Sequence, residues 1–403
     1  MLRHYRRPLL CLLRDLQNLR LHPENVPLCF SIQERLINYI RRIEYRVRNI
    51  KSQISLVRGR IRHGRLPHEE ADKLKATAHN KHSQKSAYDQ LLSLLRDIGN
   101  GLAFIYINKW DIKPLCMSKE HAGFISCKKG LRMELALFRH CKAQNVLCIL
   151  NDITNSLRHG DITMFKHGVP SIMEVKSGRA GTNDARTCRQ LERARTISKY
   201  LKEDLGQNIY PGQGTATLHR RELTIDESEH RDTVTELLTK ALESNSNLTL
   251  TLENGLYCNV SMAIDPTHES LNEIPQGGKM CVLFINTEKY VHQAYYPFTL
   301  SLSNPEALFA FYDGRCLITV FVDLGVIEQE LGKQGIEVAV NIDGDDDFLS
   351  LTRRDVQLRI NVSRHFFGRL GAEFLSLQWL IHELAALVKQ QEKDIVFNTR
   401  MKS

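Results

Sequence analysis

Apolar residues between positions 31 and 65 recur at alternating steps of four and three, which is the seam of a coiled-coil helix. The stripe needs an apolar partner, and the turn at Leu66-Pro67, followed by two acidic residues, predicts a second helix that folds back antiparallel. Gly99-Asn100-Gly101 is expected to end this second helix. Residues 1–101 are therefore predicted to form a helical arm with a coiled-coil hairpin. The seam residues are Leu36, Ile40, Ile43, Val47, Ile50, Ile54, Val57 and Ile61.

The pattern changes after residue 101 and predicts an α/β core over residues 102–210. A helix is expected to begin near Lys128, and a short apolar run over residues 146–150 is typical of a buried strand. Two β-type runs separated by Lys166-His167-Gly168 predict a β-hairpin. A basic helix is expected from about Cys188 to Leu205.

Beyond a linker at Pro211-Gly-Gln-Gly, residues 215–403 predict an α+β domain. The whole chain is thus expected to be multi-domain, with a helical N-terminal arm, a central α/β core and a C-terminal α+β domain. Helices are predicted over residues 226–242 and 374–388, and strands over residues 247–253, 257–264, 280–285, 316–323 and 335–341.

Charge is divided unevenly along the 403 residues, whose net charge is +9. Residues 1–200 carry 37 Lys and Arg against 17 Asp and Glu, while residues 201–403 carry 18 against 29. Residues 35–65 hold ten basic residues and one acid, Glu44. This face predicts contact with a nucleic-acid backbone, although a solvated helix face and docking on the acidic half remain alternatives. The candidate contacts are Arg41, Arg42, Arg46 and Arg48.

Other features restrict the setting of the protein. No stretch approaches eighteen consecutive apolar residues, so no transmembrane helix and no membrane partner are expected. The ten cysteines include no C-x-x-C pair, which argues against a zinc ribbon or a dense disulfide framework. Free and mostly buried thiols in a reducing, cytoplasmic setting are the plain interpretation.

The predicted hairpin carries the candidate chemistry. Alternate residues of a strand share a face, so Glu174 and Lys176 are expected to project together, with Asp161 alongside them from the preceding strand. Two carboxylates form a hard-oxygen site suited to Mg²⁺ or Mn²⁺, and Glu134 could supply a third. The alternative without a metal site is a surface hairpin with an ion pair between Glu174 and Lys176.

Glu134, Asp161 and Glu174-Val175-Lys176, in this order on helix and strands, resemble the motif of the PD-(D/E)XK nuclease superfamily over about residues 125–210. Gly160 stands where the motif's name has Pro. The resemblance implies a restriction-endonuclease-like core in which the metal is bound by Asp161, Glu174 and the carbonyl of Val175. It implies that Lys176 assists the attacking water and that basic or amide groups of the next helix approach the phosphate. The candidates for that last role are Gln190 and Arg193, with His159 as a secondary member of the site.

The expected function is therefore metal-dependent hydrolysis of phosphodiester bonds, with DNA as the first candidate substrate and a role in phage defence or DNA repair. The alternative is a catalytically inactive module that binds nucleic acid or supports assembly on a nuclease-like fold. A homodimer or a partner protein is expected to use the coiled coil or the acidic C-terminal domain.

Overall fold

The chain forms two units, Met1–Arg220 and Arg221–Ser403, each with its own core. The computed structural model describes residues 2–64, 66–116, 124–128, 130–166, 169–175, 185–209, 217–219, 223–263, 274–275, 278–288, 294–341 and 347–400. The N-terminal helices and the central region, which sequence analysis treats as separate parts, lie within the same unit.

Three long helices open the first unit: α1 (Leu2–Leu21), α2 (Val26–His63) and α3 (His68–Tyr106). The predicted helical hairpin is present, since α2 and α3 are antiparallel and bonded at Arg46–Tyr88 (3.0 Å) and Glu44–Arg96 (3.3 Å). The α2 seam is buried from Leu36 to Ile54, while its last two members are only half-buried. Burial of this apolar stripe against α1 and α3 is what holds the three helices together.

The expected helix end at Gly99-Asn100-Gly101 is wrong, because α3 continues to Tyr106. A Cβ added at Gly99 would lie 2.1 Å from the carbonyl oxygen of Ile153. The Oδ1 atom of Asn100 accepts hydrogen bonds from the backbone N–H groups of Asn155 (2.7 Å) and Ser156 (3.0 Å). Glycine and asparagine therefore allow a loop to approach the helix here, and they do not end it.

A small antiparallel sheet with strand order β1-β2-β3 follows the three helices. The predicted hairpin is formed by the second and third strands, with Ile162 opposite Met173 and Lys166 opposite Val169. A further two-stranded ribbon closes the unit. The elements are α4 (Lys109–Cys116), a 3₁₀ turn (Ile125–Cys127), α5 (Leu131–Ala143), β1 (Cys148–Leu150), a 3₁₀ turn (Asn151–Ile153), β2 (Ile162–Lys166), β3 (Val169–Met173), α6 (Ala185–Glu203), β4 (Leu205–Gln207) and β5 (Thr217–His219).

The sheet is attached to α2 by a buried side chain. The Gln33 amide donates from Nε2 to the carbonyl oxygen of Cys148 (2.8 Å) and accepts at Oε1 from the N–H of Leu150 (3.0 Å). Close by, the ring of Phe30 on α2 packs edge-on against that of Phe138 on α5, with centroids 5.2 Å apart. Helix α2 and the sheet β1-β2-β3 thus share one core.

The second unit combines helices with a four-stranded antiparallel sheet of order β6-β7-β9-β8 and a three-stranded sheet of order β10-β11-β12. The last two strands fall where sequence analysis predicts no element. The elements are α7 (Arg231–Ser244), β6 (Leu248–Glu253), β7 (Leu256–Met262), β8 (Met280–Phe284), α8 (Ile285–Glu288), α9 (Phe298–Ser301), α10 (Pro305–Tyr312), β9 (Cys316–Asp323), α11 (Leu324–Gly332), β10 (Glu337–Val340), β11 (Asp347–Arg353), β12 (Leu358–Ser363), α12 (Arg364–Ala372) and α13 (Leu377–Arg400).

Two general expectations can be compared with the described ranges. Within them, no helix has the length and apolar content needed to cross a membrane. The nine cysteines whose side chains are described are all free thiols, and six of them are buried. The prediction of free and mostly buried thiols is confirmed for these residues.

Candidate functional site

Asp161 lies immediately before β2, opposite the end of β3. Its N–H donates to the carbonyl oxygen of Met173 (2.8 Å), and its Oδ2 accepts from the N–H of Val175 (2.8 Å). The preceding Gly160 has a φ of +72°, and a Cβ there would lie 2.5 Å from Ile172. Glycine at this position therefore has a local cause, because the turn into β2 needs both a left-handed backbone and a small residue.

The residues around position 161 are fixed by Asn151, which is 2% exposed. Its Nδ2 donates to the carbonyl oxygens of His159 (2.7 Å) and Gly160 (3.2 Å), and its Oδ1 accepts from the hydroxyl of Thr163 (2.9 Å). Its backbone N–H donates to the carbonyl oxygen of Asp161 (3.0 Å). The end of β1 thus sets the backbone that carries the candidate aspartate.

Three carboxyl groups converge on the ammonium of Lys128, which lies just after the 3₁₀ turn that precedes α5. The Nζ atom is 2.5 Å from Oδ1 of Asp161, 2.9 Å from Oδ2 of Asp152 and 3.1 Å from Oε1 of Glu134. These four residues are called the Lys128 cluster below. Glu134 lies on α5, Asp152 lies in the 3₁₀ turn after β1, and Asp161 lies just before β2. One cation therefore serves three acids.

Burial decides the electrostatics of the Lys128 cluster. The side chain of Glu134 is 1% exposed, and its Oε2 atom has no hydrogen-bond partner among the described residues. Burial raises the pKa of Glu134 to about 7, with Lys128 lowering it and Asp161 and Asp152 raising it further. For Lys128, burial lowers the pKa, but the charge of Asp152 and the hydrogen bonds to both aspartates outweigh burial and raise it overall. Lys128 is therefore a protonated cation at neutral pH.

Glu174 and Val175, two of the predicted metal ligands, follow β3 and are not part of it. The strand ends at Met173, one residue earlier than the predicted motif strand, because Asp161 binds the Val175 N–H through its side chain where a ladder bond would continue. Glu174 is half-buried. Lys176, the predicted catalytic lysine, lies outside the described residues. Of the predicted set, the structure therefore brings Glu134, Asp161 and the backbone of Val175 to one place.

The remaining predicted members of the site differ in their surroundings. The guanidinium of Arg193, on α6, donates to the backbone carbonyls of Asn208 and Ile209. His159 is half-buried, and burial together with the positive charge of Arg193 lowers its pKa to about 4, so its ring is neutral at neutral pH. Gln190 lies on α6, but its side chain is outside the described part.

Sequence reasoning missed two members of the Lys128 cluster. Asp152 lies two residues after the end of the buried strand β1, and an acid at the end of a buried strand next to a motif strand is a usable signal. Lys128 enters the sequence analysis only as the residue near which a helix is expected to begin. Its position between carboxylates depends on residues 24 and 33 positions away along the chain, so no local pattern could indicate it.

The four predicted nucleic-acid-binding arginines line one surface cavity of about 720 Å³ on α2. Arg41 and Arg42 are exposed. Arg46 donates to the hydroxyl of Tyr88 (3.0 Å), and Arg48 donates to that of Ser126 (2.9 Å). Ser126, which also lines the cavity, lies two residues before Lys128 in the chain.

The one acid among these arginines does not face the cavity. Glu44 is fully buried and accepts from the N–H groups of Ile125 (3.0 Å) and Ser126 (2.9 Å) and from the Ser126 hydroxyl (2.8 Å). Its carboxylate thereby anchors the 3₁₀ turn before Lys128 to α2. The buried acid leaves the exposed surface of this helix segment basic.

The donor set of the Lys128 cluster suits a hard divalent cation. Its three acids offer carboxylate oxygens, the ligands preferred by Mg²⁺ and Mn²⁺, and the buried Oε2 atom of Glu134 is available to a cation. Within the described ranges, no three His, Cys, Asp or Glu side chains stand arranged as metal ligands without rearrangement. The ammonium of Lys128 holds the acids instead, at distances of 2.5–3.1 Å, compared with about 2.1 Å for Mg²⁺ and oxygen. The three acids thus have the chemistry of metal ligands, and in this arrangement their partner is the ammonium.

Comparisons of the chain with protein-family models, with curated proteins and with solved structures found no significant match.

Proposed function

We propose that this protein is a metal-dependent nuclease that uses Mg²⁺ or Mn²⁺ to hydrolyse phosphodiester bonds in DNA. The observation that carries the proposal is the convergence of Glu134, Asp152 and Asp161 on one cation, with Asp161 also bonded to the backbone of the Glu174-Val175-Lys176 motif. A structural ion pair needs one acid for each base, whereas this cluster gathers three. In this proposal the central region is a restriction-endonuclease-like core.

In this proposal some residues would bind the metal and others would orient the water and the phosphate. Asp161, Glu174 and the Val175 carbonyl would hold the metal, and Glu134 and Asp152 would add negative charge around it. A bound divalent ion would acidify a water molecule and offset charge on the phosphate. Lys176 would orient the attacking water. Lys128 would leave its present partners and face the phosphate.

A second candidate function is a nuclease-like module that binds nucleic acid without cleaving it. The occupation of the acidic cluster by Lys128 favours it, because a permanent ammonium would exclude the metal. Under this alternative the cluster stabilises the fold, and the basic face of α2 accounts for the whole function.

The test is cleavage of labelled plasmid, single-stranded DNA and RNA by the purified full chain in Mg²⁺, Mn²⁺ or EDTA. Asp161→Asn, Glu174→Gln and Lys176→Ala are expected to abolish metal-dependent cleavage while retaining binding. Glu192→Gln is the matched control, because Glu192 is an exposed acid on α6 whose loss should leave activity unchanged. Thermal denaturation of each variant separates lost chemistry from lost folding.

The outcomes separate the two functions. Cleavage that survives in all three site variants would falsify the assignment of the site. Binding without cleavage in any metal would support the inactive module instead. Cleavage of RNA in preference to DNA would correct the substrate. A role in phage defence or DNA repair follows as a proposal from the superfamily resemblance. Cytoplasmic location is proposed from the cysteine pattern, and association with a second copy or another protein is proposed from the coiled coil and the acidic C-terminal domain.

A further inference from the structure

The cavity on α2 has an aromatic component that its charge does not explain. Tyr5, Tyr39 and Tyr45 line it together with the four arginines. Tyr45 is 60% exposed, and no acidic residue is among the described residues that line the cavity. An exposed tyrosine ring offers a flat apolar face on which a base can stack, a contact that the charges of the arginines do not supply. The cavity therefore presents two chemistries, cationic and aromatic.

We propose that this cavity binds an unpaired segment of nucleic acid, with bases stacked on the tyrosines and phosphates on the arginines. The inference rests on the proposed function only in taking nucleic acid as the substrate, and it adds that the bound segment is single-stranded. In a duplex the base faces are occupied by neighbouring bases, so tyrosine rings can stack only on bases that are splayed out.

The spacing of the lining residues matches this ligand. Tyr39 and Tyr45 are six residues apart on α2, which is about 9 Å along a helix axis. That separation leaves room for more than one nucleotide between the rings. Arg41 and Arg42 line the same cavity, so guanidinium groups and aromatic rings are both available to the bound segment. The cavity volume of about 720 Å³ lies within the usual range for ligand sites.

The cavity is preorganised. Arg46 is held by the hydroxyl of Tyr88, and Arg48 is held by Ser126. Ser126 is fixed by the buried carboxylate of Glu44, and the chain reaches Lys128 two residues later. A strand bound in the cavity would thus contact the segment of chain that carries Lys128.

The experiment measures binding in EDTA, so that it depends neither on metal nor on cleavage. Fluorescence anisotropy would compare a labelled DNA single strand of about 20 nucleotides, the RNA strand of the same sequence, the corresponding duplex and an abasic DNA strand of equal length. The abasic strand keeps the phosphates and lacks the bases. We expect the single strands to bind at least tenfold more tightly than the abasic strand, since loss of a base–aromatic stack costs about tenfold or more.

Variants separate the two chemistries. Tyr39→Leu and Tyr45→Leu are each expected to weaken binding of the normal single strand about tenfold and to leave abasic binding unchanged, while Tyr45→Phe retains full binding. Arg41→Gln and Arg42→Gln should weaken normal and abasic strands equally and reduce the salt dependence of binding by about 0.7 per lost phosphate contact. Phe284→Leu, at a ring 61% exposed in the second unit, is the matched control.

Three results would overturn the inference: equal binding of normal and abasic strands, duplex binding as tight as single-strand binding, or full binding by both tyrosine-to-leucine variants. Each leaves the nuclease proposal standing, because cleavage is measured separately. Loss of cleavage with intact tyrosine-dependent binding would have the opposite meaning. The DNA and RNA strands show whether the site distinguishes the two sugars.

Discussion

Each unit of the molecule buries a cluster of ions, and the two clusters are built differently. In the second unit, Arg369 on α12 is 1% exposed and donates from Nε and Nη2 to Oε2 of Glu373 (3.0 and 2.8 Å) and from Nη2 to Glu227. The other oxygen of Glu373 accepts from the N–H of Tyr296 (3.0 Å). The guanidinium also lies 5.5 Å from the ring centroid of Trp379. Both oxygens of its most buried acid have donors.

The Lys128 cluster differs in its ratio of acids to cations and in the type of cation. It has three acids and one cation, and that cation is a lysine ammonium where the other cluster has an arginine guanidinium. Within the described structure, one buried oxygen of Glu134 has no hydrogen-bond donor. Arginine suits permanent bidentate pairs, whereas a lysine ammonium on a flexible stem can withdraw. The comparison teaches that burial alone does not mark a functional site. The Lys128 cluster has the larger excess of acids over cations, and the proposed metal site rests on that excess.

The largest expected effect comes from breaking the cluster around Arg369. Arg369→Met leaves Glu373 and Glu227 without their cation, so we expect the second unit to lose about 3–5 kcal/mol of unfolding free energy. The chain has two tryptophans, Trp110 in the first unit and Trp379 in the second. Urea denaturation followed by tryptophan fluorescence in a Trp110→Phe background therefore reports on the second unit. A loss below about 1 kcal/mol would contradict a structural role.

The next effect distinguishes the two clusters directly. Lys128→Met should cost about 2 kcal/mol in the absence of divalent ions, less than Arg369→Met, because the lysine side chain is 32% exposed. Added Mn²⁺ should restore this loss, since a ligand that binds only the folded state stabilises it by about 2.7 kcal/mol at one hundred times its dissociation constant. Differential scanning calorimetry with and without Mn²⁺ provides the measurement.

Arg369→Met is the control for that experiment, and Mn²⁺ should not restore its stability. If Mn²⁺ stabilises Lys128→Met no more than it stabilises Arg369→Met, the ammonium does not occupy a metal position. The Lys128 cluster would then be structural like its counterpart.

A smaller effect extends the comparison to a single carboxylate. Glu253 accepts from the N–H of Leu377 at the start of α13, from the Ser376 hydroxyl (3.1 Å) and from His230 (3.2 Å). Burial raises its pKa, but the bonds from His230 and Leu377 outweigh burial and hold the pKa below its usual range. A lowered pKa gives stability that is present above the ordinary value and lost as pH falls through the folded-state value.

Glu253→Gln should therefore cost about 1 kcal/mol at pH 7, and the difference from the wild type should shrink as the pH falls below about 4.3, the ordinary pKa of a glutamate, toward the lower pKa of the folded state. Urea titrations of both proteins at pH 7, 5 and 3.5 provide the check. A difference that persists undiminished at the lowest pH would show that the carboxylate charge is not what stabilises α13. Glu134 contrasts with Glu253, because its pKa is raised and not lowered.

The smallest effect concerns cations that need no protein partner. Arg41 and Arg42 are exposed, so Arg41→Gln and Arg42→Gln should change the unfolding free energy by less than about 0.5 kcal/mol. Urea denaturation of each variant is sufficient to measure it. A loss above about 1 kcal/mol would assign these charges to contacts within the protein and weaken the case for a phosphate ligand.

Local pattern predicted much of the fold. The heptad stripe predicted the α2–α3 hairpin, and the turn at Lys166-His167-Gly168 predicted the β2–β3 hairpin. These elements are formed by neighbours in sequence, whose periodicity is visible directly. Asp161 was expected alongside Glu174 and Lys176, and the contact that the structure shows is with the backbone N–H of Val175.

What local pattern missed depends on contacts between distant residues. Position 99 is a glycine inside a helix because a loop more than fifty positions away approaches the backbone there. Lys128 contacts acids that lie on three different elements. The strands β11 and β12 are stabilised as a pair within a sheet, and neither stands out from its own sequence. Glu44 looked like a lone acid in a basic helix, whereas it is a buried anchor for the turn beside the Lys128 cluster.

The amide of Gln33 has a consequence for how the sheet can grow. The strand β1 pairs with β2 on one side, and its other side would expose backbone groups able to recruit an extended segment of another molecule. A glutamine side chain carries the same donor and acceptor as a peptide bond, and here it takes the carbonyl of Cys148 and the N–H of Leu150. The side chain thus acts as a one-residue substitute for a neighbouring strand. It closes this edge to β-addition and to edge-to-edge aggregation, with α2 standing where a further strand would go.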